Sequence, residues 1–247
     1  MSKPKAIFFD LDETLVDNVI PVQKLFAEMY FQFSDRLGAD RQDAFFAALR
    51  VNAANLWATM FETEVAPEQQ FADCFATTIE STCELPNAEA RELAAGMLEG
   101  FVALSANNVR LQDGASDTLQ TLREQGYITG IITNGMERVQ LGKVHQLGLQ
   151  DQVDHVIVSA QARAHKPHAP VFEMALARAG VEAHQAWQIG DHATNDVAGA
   201  IRAGMGGVFY DPGRDRIHKA FAELEESPTY VANHLLEVVD LAASHGV

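Results

Sequence analysis

The stretch Lys5-Ala6-Ile7-Phe8-Phe9-Asp10-Leu11-Asp12-Glu13-Thr14-Leu15 decides how the rest of the chain is read. A short apolar run stopped by an acid, from Lys5 to Asp10, has the pattern of a strand buried on both faces of a parallel sheet. Four more such runs come much later, at Tyr127–Thr133, Val153–Ser159, Ala186–Gly190 and Gly207–Tyr210. Helical patterns at Glu137–Leu147, Val171–Ala179 and Asn195–Ala203 separate them. Strands alternating with helices predict right-handed crossovers and an α/β fold built on a parallel sheet. Thr229–Ala232 reads as a sixth strand, followed by a terminal helix from about Asn233.

From Asn18 to Ala106 the alternation stops and no convincing strand is found. Four apolar stripes at helical spacing replace it. They are Val22, Leu25, Phe26, Met29 and Phe33; Leu49, Ala53, Leu56 and Met60; Phe71, Cys74, Phe75, Thr78 and Ile79; and Leu93, Met97, Leu98 and Phe101. Each stripe predicts helix–helix packing. The expected organisation is a core of residues 1–17 and 107–247, with an all-helical domain of residues 18–106 inserted after the first strand.

The chain has 247 residues, with 18 Lys and Arg against 34 Asp and Glu, for a formal charge of −16. That length suits one large or two smaller domains, and 47% hydrophobic residues are too many for a disordered chain. So acidic a surface repels nucleic acid polymers and anionic bilayers. Cys74 and Cys83, nine positions apart, would fall on opposite faces of one helix, which disfavours a disulfide. No secretory signal is visible, because the first apolar run ends at once in Asp10, and no apolar stretch reaches the ~20 residues of a membrane helix. A cytoplasmic protein, monomeric or homodimeric, is the expectation.

Four polar clusters sit where the predicted strands end: Asp10-Leu11-Asp12-Glu13-Thr14, Thr133-Asn134-Gly135, Lys166-Pro167 and Gly190-Asp191-His192-Ala193-Thr194-Asn195-Asp196. Open α/β sheets bind ligands beyond the carboxyl ends of their strands, so these clusters are expected to share one crevice. Asp10, Asp12, Asp191 and Asp196 would gather four carboxylates near one lysine, an arrangement that repels itself without a cation. Hard oxygen ligands favour Mg2+. Thr133 offers a hydroxyl, the Asn134–Gly135 turn offers backbone N–H groups, and Lys166 adds a compact positive charge for phosphate oxygens. Taken singly, each cluster has a plainer reading as a solvated strand end, a helix cap or a loop.

Together, in this order, the clusters resemble the four motifs of the haloacid dehalogenase-like hydrolases: D-x-D-x-T-L at Asp10–Leu15, a strand-end Thr133, Lys166-Pro167, and G-D-x-x-x-N-D at Gly190–Asp196. The resemblance spans essentially the whole chain and implies a Rossmann-like core with the helical insert as a cap. By that resemblance Asp10 is the nucleophile and Asp12 the acid–base that serves the leaving oxygen and then water. Mg2+ would be held by Asp10, the backbone carbonyl of Asp12, and Asp191. Thr133, Asn134 and Lys166 would hold the phosphoryl group, and Asp196 would orient Lys166 or a metal-bound water. An acid at position 12 argues for phosphoryl transfer, since dehalogenating members lack one. The implied substrate is a small phosphorylated metabolite, a nucleoside 5′-monophosphate or a sugar phosphate.

Other readings of the same residues stay open: a phosphomutase of the same fold, or a non-catalytic phosphate-binding or signalling module. Glu13 stands where glycine is commoner in the family, and the turn can accept a side chain. His165, His168 and His192 flank the third and fourth motifs and read as surface or supporting residues. Segment Val51-Asn52 to Leu56-Trp57 is similar to the cap helix of the pyrimidine 5′-nucleotidase-like branch. Trp57 is expected to pack, with base stacking the alternative. Arg36, Arg41 and Arg50 are expected to be solvated, with anion contact the alternative.

Overall fold

The apolar run after Lys5 forms strand β1 (Ala6–Phe9), and all four residues are fully buried. The other strands are β2 (Val16–Asn18), β3 (Val109–Leu111), β4 (Ile128–Thr133), β5 (His155–Val158), β6 (Ala186–Gly190), β7 (Gly206–Tyr210) and β8 (Tyr230–Ala232). In this computed structural model, which describes residues 3–213 and 216–244, six of them form one sheet in the order β5-β4-β1-β6-β7-β8. Every pairing in that sheet is parallel. Counted along the chain within the sheet, the order is 3-2-1-4-5-6, the doubly wound arrangement, with its switch point between β1 and β6.

Alternation along β1 sends its side chains to two separate cores. Ile7 and Phe9 pack with Leu119, Leu122, Ile131, Trp187 and Val238 on one face. Ala6 and Phe8 pack with Ile132, Ile157, Val171 and Phe172 on the other. Phe8 has room only because position 130 on the neighbouring strand is glycine, where a Cβ would lie 2.6 Å from the Phe8 ring. Each large side chain removed from water in this way contributes about 1.5–3 kcal/mol, which is why β1 holds the middle of the sheet.

The chain divides into two compact units: the segment through Asn18 together with everything from Val109 onward, and Val19–Asn108. Antiparallel β2 and β3, paired from Val16 opposite Leu111 to Asn18 opposite Val109, lie where the chain leaves and re-enters the first unit. Val19–Asn108 is helical, with principal helices Val22–Gln32, Gln42–Thr59, Pro67–Cys83 and Asn87–Asn107. Leu25, Met29, Leu49, Met60, Phe75, Ile79, Leu93 and Met97 are buried, as their stripes predict, whereas Val22 is exposed. Phe26 stacks on Phe101 with centroids 4.9 Å apart, and Tyr30 packs against Phe45 and Phe46.

Trp57 meets Phe71 edge-on and stays 38% exposed. Arg36 pairs with Glu89 and Glu92, and Arg41 donates to the Thr82 carbonyl beside Glu84, so neither is simply solvated. Cys74 and Cys83 share helix Pro67–Cys83 and are both free thiols.

Two helix starts differ from expectation as well. The helix predicted from Asn195 begins at Ala193 as a π-helical turn, Ala193–Ala198, capped by His192 and continued by helix Gly199–Arg202. The terminal helix starts at Glu237, because the Glu237 carboxylate accepts the Asn233 N–H and fixes the intervening residues as a turn. Among the described residues no helix is long and apolar enough to cross a membrane.

Candidate active site

The predicted site residues in the first unit all follow carboxyl ends of strands. Asp10 comes straight after β1, and its N–H donates to the Ile189 carbonyl of β6. Thr133 ends β4, Asp191 follows β6, and Asp196 sits within the π-helical turn. The turn Leu11–Val16 closes through N–H bonds of Leu15 and Val16 to the Leu11 carbonyl, with Glu13 at φ 60. A side chain at such a φ costs about 1–2 kcal/mol, a strain held here at the mouth of the site. Thr14 in that turn accepts the Asp191 N–H, joining the first and last motifs.

Lys166 is the hub. Its Nζ donates to Asp10 Oδ1 at 2.6 Å, to Asp196 Oδ1 at 2.6 Å and to the Ile132 carbonyl at 2.7 Å. These bonds use all three ammonium hydrogens. Burial works to lower the Lys166 pKa, but the two carboxylates more than reverse it and hold the ammonium above its usual range. Burial pushes the Asp10 carboxyl up to about 8 against the pull of Lys166, and the neighbouring Asp196 and Asp12 add to the rise. Asp196 also accepts the His192 N–H and the Gln188 amide, so both its oxygens are engaged.

Asp12 points elsewhere, to helix Glu137–Gln146. Lys143 Nζ donates to its Oδ1 at 2.7 Å and Gln140 Nε2 to its Oδ2 at 2.8 Å. Gln140 Nε2 also donates to the Thr133 hydroxyl oxygen, which leaves the hydroxyl hydrogen for another acceptor. Asn134 closes a two-way amide pair with the Lys166 main chain: Oδ1 accepts its N–H at 2.8 Å and Nδ2 donates to its carbonyl at 3.0 Å. That side chain fixes the Lys166 loop, with one amide hydrogen left over. Gly135 donates to Ser159 Oγ, which is also hydrogen-bonded to His165 Nδ1.

Asp191 meets Arg216, whose Nη1 lies 3.3 Å from its Oδ2 and whose Nε and backbone N–H hold Asp211. Burial, and then Asp196, raise the Asp191 pKa, with Arg216 opposing them. The expectation of four carboxylates near one lysine is thus corrected. Among the described residues, Lys166, Lys143 and Arg216 face Asp10, Asp196, Asp12, Asp191 and Asp211, so carboxylates outnumber cations.

A divalent cation fits this deficit. One carboxylate oxygen from each of Asp10, Asp191 and Asp196 lies within 4.8 Å of the other two. Lys166 takes Oδ1 of Asp10 and Arg216 takes Oδ2 of Asp191, so each acid keeps its second oxygen for a cation. An all-oxygen donor set suits Mg2+. Gly190 is required at this point, because a Cβ there would collide with the Asp196 carboxylate.

Gln140, Lys143 and Arg216 escaped the sequence reading. The available signal for the first two was a polar pair at i and i+3 on a helix that starts just after the Thr133 turn. For Arg216 it was its place a few residues beyond the carboxyl end of β7.

Residues 4–204 match the haloacid dehalogenase-like hydrolase family. A glyceraldehyde 3-phosphate phosphatase of Pyrococcus furiosus is 28% identical over 98% of this chain and 94% of its own. The pyrimidine 5′-nucleotidase YjjG of Escherichia coli is 28% identical over 97% of this chain and 98% of its own. In fold, a crystal structure of a 2-haloacid dehalogenase from Pseudomonas syringae matches with a TM-score of 0.78, at 23% identity, over 98% of this chain and 99% of that one. With the four motifs converging at the end of a doubly wound sheet, the chain belongs to the haloacid dehalogenase-like hydrolases, on the phosphatase side of the family.

Proposed function

We propose that the protein is a Mg2+-dependent phosphomonoesterase that works through a phosphorylated Asp10. The observation that carries this reading is Asp10 at the end of β1, gripped by Lys166, with a second acid two residues on. Asp10 attacks phosphorus in line, the bond from phosphorus to the ester oxygen breaks, and Asp12 gives that oxygen its proton. Water then attacks the aspartyl-phosphate, loses a proton to Asp12, and the bond to Asp10 breaks to release phosphate. Mg2+ would be held by Asp10, Asp191 and the Asp12 carbonyl, and would supply charge stabilisation to the phosphoryl oxygens. The Thr133 hydroxyl and the spare Asn134 amide hydrogen bind those oxygens, and the Lys166 ammonium, its hydrogens already given to Asp10, Asp196 and the Ile132 carbonyl, adds positive charge beside them, while Asp196 and Asn134 hold Lys166 in place.

Phosphatases of glyceraldehyde 3-phosphate and of pyrimidine nucleotides among the relatives support a small phosphorylated metabolite, a sugar phosphate or nucleoside 5′-monophosphate, as substrate. We assign the helical unit the role of a cap that selects it, and place the enzyme in the cytoplasm as a monomer or homodimer. The test is phosphate release from a panel of sugar phosphates and nucleotides, with and without Mg2+, beside Asp10→Asn. Activity that needs Mg2+ and vanishes in Asp10→Asn is expected. Unchanged turnover in Asp10→Asn would overturn the assignment, and isomer interconversion without phosphate release would replace it with a mutase.

A further inference from the structure

Lys143 lies mid-helix with its side chain only 9% exposed, on a helix whose Val139 and Val144 are also buried. Taking an ammonium out of water costs several kcal/mol unless a partner answers it. The partner here is Asp12, at 2.7 Å. Gln140, three positions earlier on the same face, takes the second oxygen of Asp12 and reaches the Thr133 hydroxyl as well. The approach is close enough that position 135 must be glycine, since a Cβ there would lie 2.6 Å from Gln140 Cγ. One helix face therefore grips both oxygens of Asp12 and the last residue of β4.

We propose that Lys143 and Gln140 are positioning residues that aim the Asp12 carboxylate and lock it to the Thr133 strand end, so that the proton donor and the phosphoryl site move as one piece. This rests on the phosphomonoesterase reading above. Neither residue touches the reacting atoms; both act through Asp12. If their role is to aim a proton donor, their loss harms substrates in proportion to how badly the leaving group needs a proton. A purely structural role would harm all substrates alike.

The experiment compares kcat/KM, which reports the steps through leaving-group departure, for phenyl phosphate and 4-nitrophenyl phosphate in the Mg2+-loaded enzyme. In Lys143→Met the value falls about 10- to 100-fold on phenyl phosphate and under about 3-fold on 4-nitrophenyl phosphate, part of the 10²–10⁴ that general acids supply. Gln140→Leu shifts the ratio in the same sense by a smaller factor, and Lys143→Arg restores it at least in part. Asp12→Ala shows the largest shift of that ratio. Equal losses on both substrates in Lys143→Met and Gln140→Leu, with the ratio shifted in Asp12→Ala, would overturn the positioning role alone. Equal losses in Asp12→Ala as well would overturn the acid role of Asp12 beneath it. Melting curves confirm folding, and if Lys143→Met fails to fold, Gln140→Leu and Lys143→Arg decide the question.

Discussion

Replacing Lys166 with methionine removes the one ammonium that two buried carboxylates share. Its Nζ stands 2.6 Å from Asp10 and from Asp196, and the Lys166 and Asp196 side chains are 2% and 1% exposed, so water cannot take its place. Deleting one partner of a buried ion pair costs about 3–5 kcal/mol, a large share of the roughly 5–15 kcal/mol that holds a protein folded. The loss should also depend on pH. In the wild type, burial already keeps Asp10 protonated up to about 8. Without the ammonium the buried pair takes up further protons, which the unfolded chain has already released above about pH 4. Stability of the variant therefore falls more steeply than that of the wild type as pH rises, by about 1.4 kcal/mol per pH unit for each extra proton held. Urea unfolding of the two metal-free proteins at pH 8 and pH 5.5 measures this. The deficit should be largest at pH 8 and shrink on acidification. A loss below about 1 kcal/mol at pH 8, or a deficit that grows on acidification, would refute the hub role of Lys166.

Mg2+ at 100 times its dissociation constant should add about 2.7 kcal/mol to stability. The gain per concentration should be greater at pH 8.5 than at pH 6.5, because Asp10 must give up the proton that burial holds to about 8; calorimetric titration in two buffers should register proton release. Gly190→Ala should cost about 1–3 kcal/mol by overpacking and displace Asp196 from Lys166, lowering both the melting temperature and turnover. His165, pushed down to about 4 first by burial and then by His168, resists protonation in the folded state. The His165 contribution to stability should thus be lost as pH drops from 6.5 through about 4, against the opposite contribution of Asp10. His165→Asn should lose that component of the acid limb, and an unchanged limb in the urea midpoints would count against it.

The central strands were legible because burial on both faces writes itself as an unbroken apolar run. Ala186–Gly190 matches its predicted bounds, and β1 and β7 differ by single residues at their ends. β2 and β3 were not legible. Three residues such as Val16-Asp17-Asn18 carry no period, and their partner lies across the whole helical unit. The carboxylates and Lys166 could be read because strand-end position and chemistry coincide. Their partners could not, since Lys143 and Arg216 look like ordinary surface charges until folding sets them against Asp12 and Asp191. Asn134 reads from its place beside Thr133 as a phosphate ligand, yet most of its hydrogen-bonding capacity goes to the Lys166 main chain, a partner that no local pattern announces.

The most direct test of the account is acid quenching of the Mg2+-loaded enzyme during turnover, followed by mass spectrometry of the peptide that carries Asp10. The account predicts a phosphoryl group on Asp10, labile to hydroxylamine and absent from Asp10→Asn. Steady phosphate release with no phosphoryl group trapped on Asp10, and comparable turnover in Asp10→Asn, would contradict it.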